Sequence, residues 1–257
     1  MTTLQTHRAK TFAASAALVA ASLGLSGCFN ISTSFDGEPL DDLDTGGRAP
    51  TEIGLAGPDD LILKEGKKLK IKVKGDKEAI ELLRFKRKGD KLVVGRDGDW
   101  DMSVGTAKVT ITMPAPEEIS MAGSGTITAE AMASDAEISM AGSGSIKVDD
   151  IAVDKLEVSS AGSGSIKGAG TAKKLEVNIL GSGGVNLSKL TADDVEVSIA
   201  GSGGVKVASD GKVEASIAGS GSVFVEGSAT CKSSIAGSGS LTCRSTTTTT
   251  TQSDDAE

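Results

Sequence analysis

Few side chains in this 257-residue sequence could carry covalent or acid–base chemistry. The single His is His7, so the chain beyond it cannot hold a Ser-His-Asp triad or a His-ligated metal. Three Cys remain, Cys28, Cys231 and Cys243. Asp149-Asp150 and Asp193-Asp194 are paired carboxylates of the kind glycosidases use. They stand at different offsets from the repeated motif described below and read as turn formers. Asp97-Gly98-Asp99-Trp100-Asp101 opens like a calcium-binding EF-hand loop, but Met102 and Lys108 occupy the positions that need Gly and Glu. There is no phosphate-binding G-x-x-x-x-G-K-[ST] loop. A polysaccharide-cleaving site would want an Arg or an acid/base pair and aromatic platforms. Between Asp97 and Cys243 there is no Arg, and Trp100 and Phe224 are the only aromatics. No catalytic residue and no cofactor is assigned on these grounds.

What positions these residues is a repeat. The tetrapeptide [AL]-G-S-G occurs seven times, its first Gly at 123, 142, 162, 181, 201, 219 and 237. Aligned on that Gly, apolar residues fall into columns. Ile119, Ile138, Val158, Val177 and Val197 lie four before it; Met121, Met140, Ile179, Ile199, Ile217 and Ile235 lie two before, with Ser160 breaking the column. Ile127, Ile146, Ile166, Val185, Val205, Val223 and Leu241 follow the turn. Apolar and polar residues alternate with period two on both sides, which is strand, tight turn, strand. One such unit cannot bury its apolar face, and stacked units can. The pattern predicts an all-β, parallel β-helix or solenoid of seven G-S-G rungs over residues 116–244. The Ser of each G-S-G (124, 143, 163, 182, 202, 220, 238) is a turn former expected to stack as a hydrogen-bond ladder. Residues 52–115 alternate in short stretches without G-S-G and predict a β-rich N-terminal cap or first coils, because a bare solenoid end exposes an unpaired edge.

Two outward features follow from the alignment. Glu118, Glu137, Glu157, Glu176, Glu196 and Glu214 form one column, with Ser or Asn two residues on; Lys147, Lys167 and Lys206 lie beyond the turn. In-register stacking would set the glutamates ~4.8 Å apart. Like charges so placed repel, so the stripe is a candidate site for a cation or a cationic partner, the plain alternative being a solvated face. At the other end of the alignment, Cys231 replaces the Leu/Val that starts a rung and Cys243 the Val that ends it. Both point inward, and a disulfide closing the last rung is expected; the alternative is two buried thiols.

The two ends of the chain read differently. His7, Arg8 and Lys10 precede an uncharged run, Thr11–Leu25, too short to span a bilayer. It ends in Leu25-Ser26-Gly27-Cys28, which resembles the lipobox of bacterial lipoproteins. That resemblance implies cleavage after residue 27, lipid (palmitate among its chains) on Cys28, and a membrane anchor; Phe29 implies the outer membrane. Residues 28–51 are polar and read as a tether, residues 245–257 as a disordered Thr-rich acidic tail. Residues 28–257 hold 25 Lys and Arg against 35 Asp and Glu, a net −10. An acidic surface excludes a nucleic-acid partner, whose phosphates demand a basic stripe.

The repeated I-A-G-S-G-[SG]-[VL] units, preceded by Lys108-Val109-Thr110-Ile111-Thr112-Met113-Pro114, resemble the head GIN domain family of auto-transporter adhesins over residues 52–244. The resemblance implies a right-handed β-helix of the pectate-lyase type without its catalytic machinery. Members carry Asp after G-S-G where this chain has Ser, Thr or Gly. The expected function is a lipid-anchored, non-enzymatic, adhesin-like or structural module of the cell envelope, with an envelope glycan or protein as partner. The competing expectation is a polysaccharide-acting β-helix enzyme.

Overall fold

A computed structural model describes residues 35–98 and 104–244. The signal segment, Cys28, Asp99 to Asp101 and the 245–257 tail fall outside the described residues.

The periodicity becomes a parallel solenoid. Its strands are β1 (Glu52–Gly57), β2 (Asp60–Glu65), β3 (Lys70–Gly75), β4 (Leu83–Lys88), β5 (Lys91–Arg96), β6 (Ala107–Met113), β7 (Glu118–Gly123), β8 (Thr126–Ala131), β9 (Asp135–Gly142), β10 (Ser145–Gly162), β11 (Ser165–Gly181), β12 (Gly184–Gly201), β13 (Gly204–Gly219), β14 (Ser222–Glu226), β15 (Thr230–Gly237) and β16 (Ser240–Arg244). A short helix, α1 (Lys77–Leu82), links β3 to β4. Successive coils pair residue for residue through the G-S-G corner: Gly123 with Gly142, Gly142 with Gly162, and so on to Gly219 with Gly237. Gly57, in Ala56-Gly57-Pro58-Asp59, stacks beneath Gly123 and extends the corner one coil below the first G-S-G.

Each coil has three sides, one more than the strand–turn–strand unit the sequence pattern predicts. In β10 the buried residues are Ile146 and Val148, then Ile151 and Val153, then Leu156, Val158 and Ser160. The exposed pairs Asp149-Asp150 and Asp154-Lys155 break the alternation and mark corners, G-S-G being the third. Side one leads into G-S-G, side two leaves it, and side three is the short connection. Register shifts between coils fall at or beside side three, as between Val148 and Ile151 or Leu187 and Thr191. That is where the 18-, 19- and 20-residue steps are absorbed, leaving sides one and two in register.

The corner glycines are required by space. Gly142 and Gly201 have φ +129° and +132°, and a Cβ on either would overlap the carbonyl oxygen of the corner glycine one coil below. The expected Ser ladder is a main-chain ladder: the amides of Ser143, Ser163 and Ser182 donate to the carbonyls of Gly123, Gly142 and Gly162 at 2.9–3.0 Å, and the side chains are exposed. Ser160, the break in the Met/Ile column, is buried with its Oγ unpartnered.

The N-terminal end is built out of sequence order. β1 lies between β5 and β7, and β2 between β6 and β8, so the β5–β6 coil sits outside the earlier β1–β2 coil. β3 pairs antiparallel with β6 and β4 antiparallel with β5, ending the two sides. This is the cap the sequence called for, and first coils as well. Asp59 and Arg96, both at most 2% exposed, tie it together. Arg96 Nε donates to Asp59 Oδ2 at 2.7 Å, Arg96 Nη2 to the Gly105 carbonyl at 2.7 Å, and the Ala107 amide to Asp59 Oδ1 at 2.7 Å.

Residues 35–51, which the sequence assigns to the 28–51 tether, pack on the cap. The Phe35 ring lies over Gly95, Glu38 exchanges main-chain bonds with Phe85, and Leu43 is buried. Arg87 donates to the carbonyls of Asp44 and Gly46 at 2.9 Å and to that of Arg48. The apolar residues and the guanidinium outweigh the polar composition.

At the far end β15 and β16 form sides one and two of the last described coil. The Cys231–Cys243 disulfide joins the start of side one to the end of side two.

Three outcomes are expected. Gly142→Ala or Gly201→Ala destabilises by more than ~3 kcal/mol, read as a lowered Tm, because no relaxation within one coil relieves a clash with main chain. Ser160→Val stabilises by about 1 kcal/mol, by adding buried apolar surface and removing an unsatisfied hydroxyl. Reducing the disulfide costs about 3 kcal/mol in the chain-entropy model, with hydrogen exchange rising in β15 and β16 before the inner coils.

Candidate functional site

Side one presents three outward columns. In-register pairing carries the glutamate column from coil to coil: Lys91, Glu52, Glu118, Glu137, Glu157, Glu176, Glu196, Glu214, Lys232. All six glutamates singled out in the sequence are therefore brought into one stripe. A seventh, Glu52, was missed because its coil turns through A-G-P-D rather than A-G-S-G. Two residues on runs a column of Ser120, Ser139, Ser159, Asn178, Ser198 and Ser216; two further on lie alanines, interrupted by Leu180, 64% exposed.

The stripe carries part of its own counter-charge. Lys91 Nζ donates to Glu118 Oε1 at 2.7 Å and lies 3.4 Å from Glu52. Burial works to lower the Lys91 pKa, but the hydrogen bond and charge of Glu118, with Glu52, outweigh it and raise it. Lys155, at the corner before Glu157, donates to it at 3.2 Å; that bond raises its pKa, and Glu176 and Glu137 add to the effect. Glu52, Glu117, Glu118, Glu137, Glu157 and Lys155 line a shallow concavity at the N-terminal end of the stripe. Among the described residues no group of three or more His, Cys, Asp or Glu is arranged to hold a metal ion.

The other sequence candidates are scattered. Asp149-Asp150 lies at the corner of sides two and three, with Asp149 2.5 Å from Lys147. Asp193-Asp194 lies at the next corner, where Asp194 is in register between Lys174 and Lys212. Asp97 is 2.9 Å from Arg84 Nη2. The two Asp pairs occupy different corners and share no site. Asp210 is a turn device: it accepts from the Ser228 amide and hydroxyl at 2.8 Å, and the amide bond chiefly lowers its pKa.

A second charged region is the cap. Residues 64–91 hold 12 Lys and Arg against five Asp and Glu, a net +7 in a chain of net −8. The whole-chain balance conceals it; a windowed charge count would have found it.

A parallel β-solenoid with regular outward ladders defines the class of protein. The family model described as "Putative auto-transporter adhesin, head GIN domain" matches residues 49–229, and the chain belongs to that family. It is similar in fold to a structure described as a putative adhesin from Bacteroides fragilis, 24% identical, covering 76% of this chain and 92% of that one at a TM-score of 0.67. A putative lipid binding protein from Parabacteroides distasonis is 24% identical, with coverage of 77% and 93% and a TM-score of 0.61. A putative adhesin from Parabacteroides merdae is 18% identical, with coverage of 76% and 92% and a TM-score of 0.60. No curated protein matches.

The lowered Asp210 pKa has a sign. Its bonds to Ser228 are fully present above the ordinary aspartate value of 3.8 and are lost as pH falls through the lower folded value. The Ser228 amide shift in NMR should titrate with a midpoint below 3.8, and Asp210→Asn should abolish the titration. A midpoint above that value contradicts the assignment.

Proposed function

We propose that this protein is a lipid-anchored, non-enzymatic adhesin-like module of the cell envelope that engages a cationic partner along the glutamate stripe of side one. The in-register ladder carries this reading. Seven carboxylates repeat at the coil spacing of ~4.8 Å on a Ser/Ala surface; among the described residues Lys91 and Lys155 are the lysines ion-paired to it, and Lys232 stands in register at its far end. Desolvating such a row is unfavourable unless a partner brings positive charge, and electrostatic complementarity of this kind favours encounter and register over raw affinity. Membership of an adhesin family supports a role at the envelope surface. The lipobox-like Leu25-Ser26-Gly27-Cys28 supports anchoring through Cys28. An envelope glycan bearing amines, or a basic protein segment, has the chemistry that fits.

The body beginning at residue 29 should bind an immobilised cationic polymer with an affinity that falls as salt rises. Glu157→Gln/Glu176→Gln/Glu196→Gln together should weaken it by about tenfold or more. Equal binding by the triple variant would contradict the role of the stripe. Anchoring is read separately, from acyl groups on Cys28 in the mature protein's N-terminal peptide. Release of reducing sugars from envelope polysaccharide would favour the enzyme reading instead.

A further inference from the structure

The cations of the cap are not all used alike. On β4, Arg84 pairs with Asp97, Lys86 with Asp36, and Arg87 holds the 44–48 carbonyls. On β3 and the turn before it, Lys67, Lys68, Lys70, Lys72 and Lys74 are exposed and, among the described residues, form no ion pair. Lys70, Lys72 and Lys74 alternate with the half-buried Ile71 and Val73, so they share the outer face of a strand that ends side two. Lys74 is directly in register with Lys108, which adds like charge. Charged edge strands discourage edge-to-edge pairing, but three uncompensated lysines on one face, with two more in the turn before it, also repel one another, and an anionic surface offsets that.

The route of the chain says which surface. Phe35 donates its amide to the Arg96 carbonyl, Arg96 bonds the Gly105 carbonyl, and Ala107 pairs with Gly75, the residue after Lys74. The chain therefore reaches the fold at the corner where the lysine strand ends. Six residues lie between Cys28 and Phe35, seven peptide steps that span at most about 25 Å of chain.

We propose that the lysine face of β3 is a membrane-contact surface for anionic phospholipid headgroups, laying the N-terminal end of side two against the bilayer. The proposal rests on the reading of Cys28 as a lipid anchor, since a tether this short holds the face at the membrane. A lipid anchor combined with a basic patch is the two-signal arrangement that makes membrane attachment stable and oriented. It leaves the glutamate stripe on a different side of the coil.

The test uses the body from residue 29 without lipid. Co-sedimentation with vesicles of phosphatidylcholine carrying increasing phosphatidylglycerol should show binding that rises with phosphatidylglycerol and is lost at high salt. Lys70→Gln/Lys72→Gln/Lys74→Gln should weaken it by on the order of a hundredfold, whereas Lys86→Gln/Lys88→Gln should change it little. Unaltered melting of both variants keeps the comparison valid. Binding indifferent to phosphatidylglycerol, or unchanged in the β3 variant, overturns the proposal, as does binding confined to vesicles bearing lipopolysaccharide. A variant that aggregates without ever showing phosphatidylglycerol dependence assigns the lysines to edge protection and also overturns it. Failure of the anchor is seen independently, as an unacylated Cys28.

Discussion

The contact on which everything else depends is the main-chain bond at the G-S-G corner. In five successive coils, from Ser143 to Ser220, the amide after the first Gly donates to the carbonyl of the corner glycine below, and in the coil before them the Gly125 amide donates to Gly57. A Cβ at that glycine would occupy the same space. The corner therefore admits only Gly, and it holds each coil at one spacing and one register over its neighbour. Buried columns follow, because residues at equal distance from the corner must stack. The outward ladders follow by the same rule, since alternate residues of a strand point to opposite faces. The glutamate stripe is thus a product of the corner rather than of any contact among the glutamates.

The same constraint explains what could be read from the residues alone. The seven corners, the inward columns of sides one and two, the glutamate column and the Cys231–Cys243 pairing were legible because they keep fixed offsets from the motif. Side three was not. It buries at most two residues per coil, places Gly170 where the neighbouring coils have Ile151 and Leu190, and absorbs the variable step in shifts of register. The cap's strand order was not legible either: the β5–β6 coil lies outside β1–β2, and no local pattern encodes which strand is outermost. Its central contact replaces the corner with a buried Asp59–Arg96 pair at positions where the repeat has glycine. Such a pair contributes little net stability while intact, yet removing one partner strands the other without a counter-charge. The packed part of the tether was hidden by its acidic composition, although Leu40 and Leu43 sit within it.

The molecule is polar along its axis. One end carries the lysine-rich cap; in the coil at the other end a disulfide joins sides one and two. Between them the acidic stripe runs the length of side one. A basic base and an acidic flank give a solenoid two distinct electrostatic surfaces from one repeated backbone. Enzymes on β-helices need a few convergent groups on one side. Here the carboxylate pairs are dispersed to different corners and several face lysines.

Distances between spin labels at the exposed corner serines test the in-register stack most directly, with the native disulfide kept oxidised and the labels introduced as unnatural amino acids. From position 143 to positions 202 and 220, and from 124 to 238, the stack predicts narrow distributions centred near about 14, 19 and 29 Å, growing by ~4.8 Å for each coil crossed. Distances that fail to grow in proportion to the number of coils, or that spread broadly in the middle of the solenoid, would contradict it.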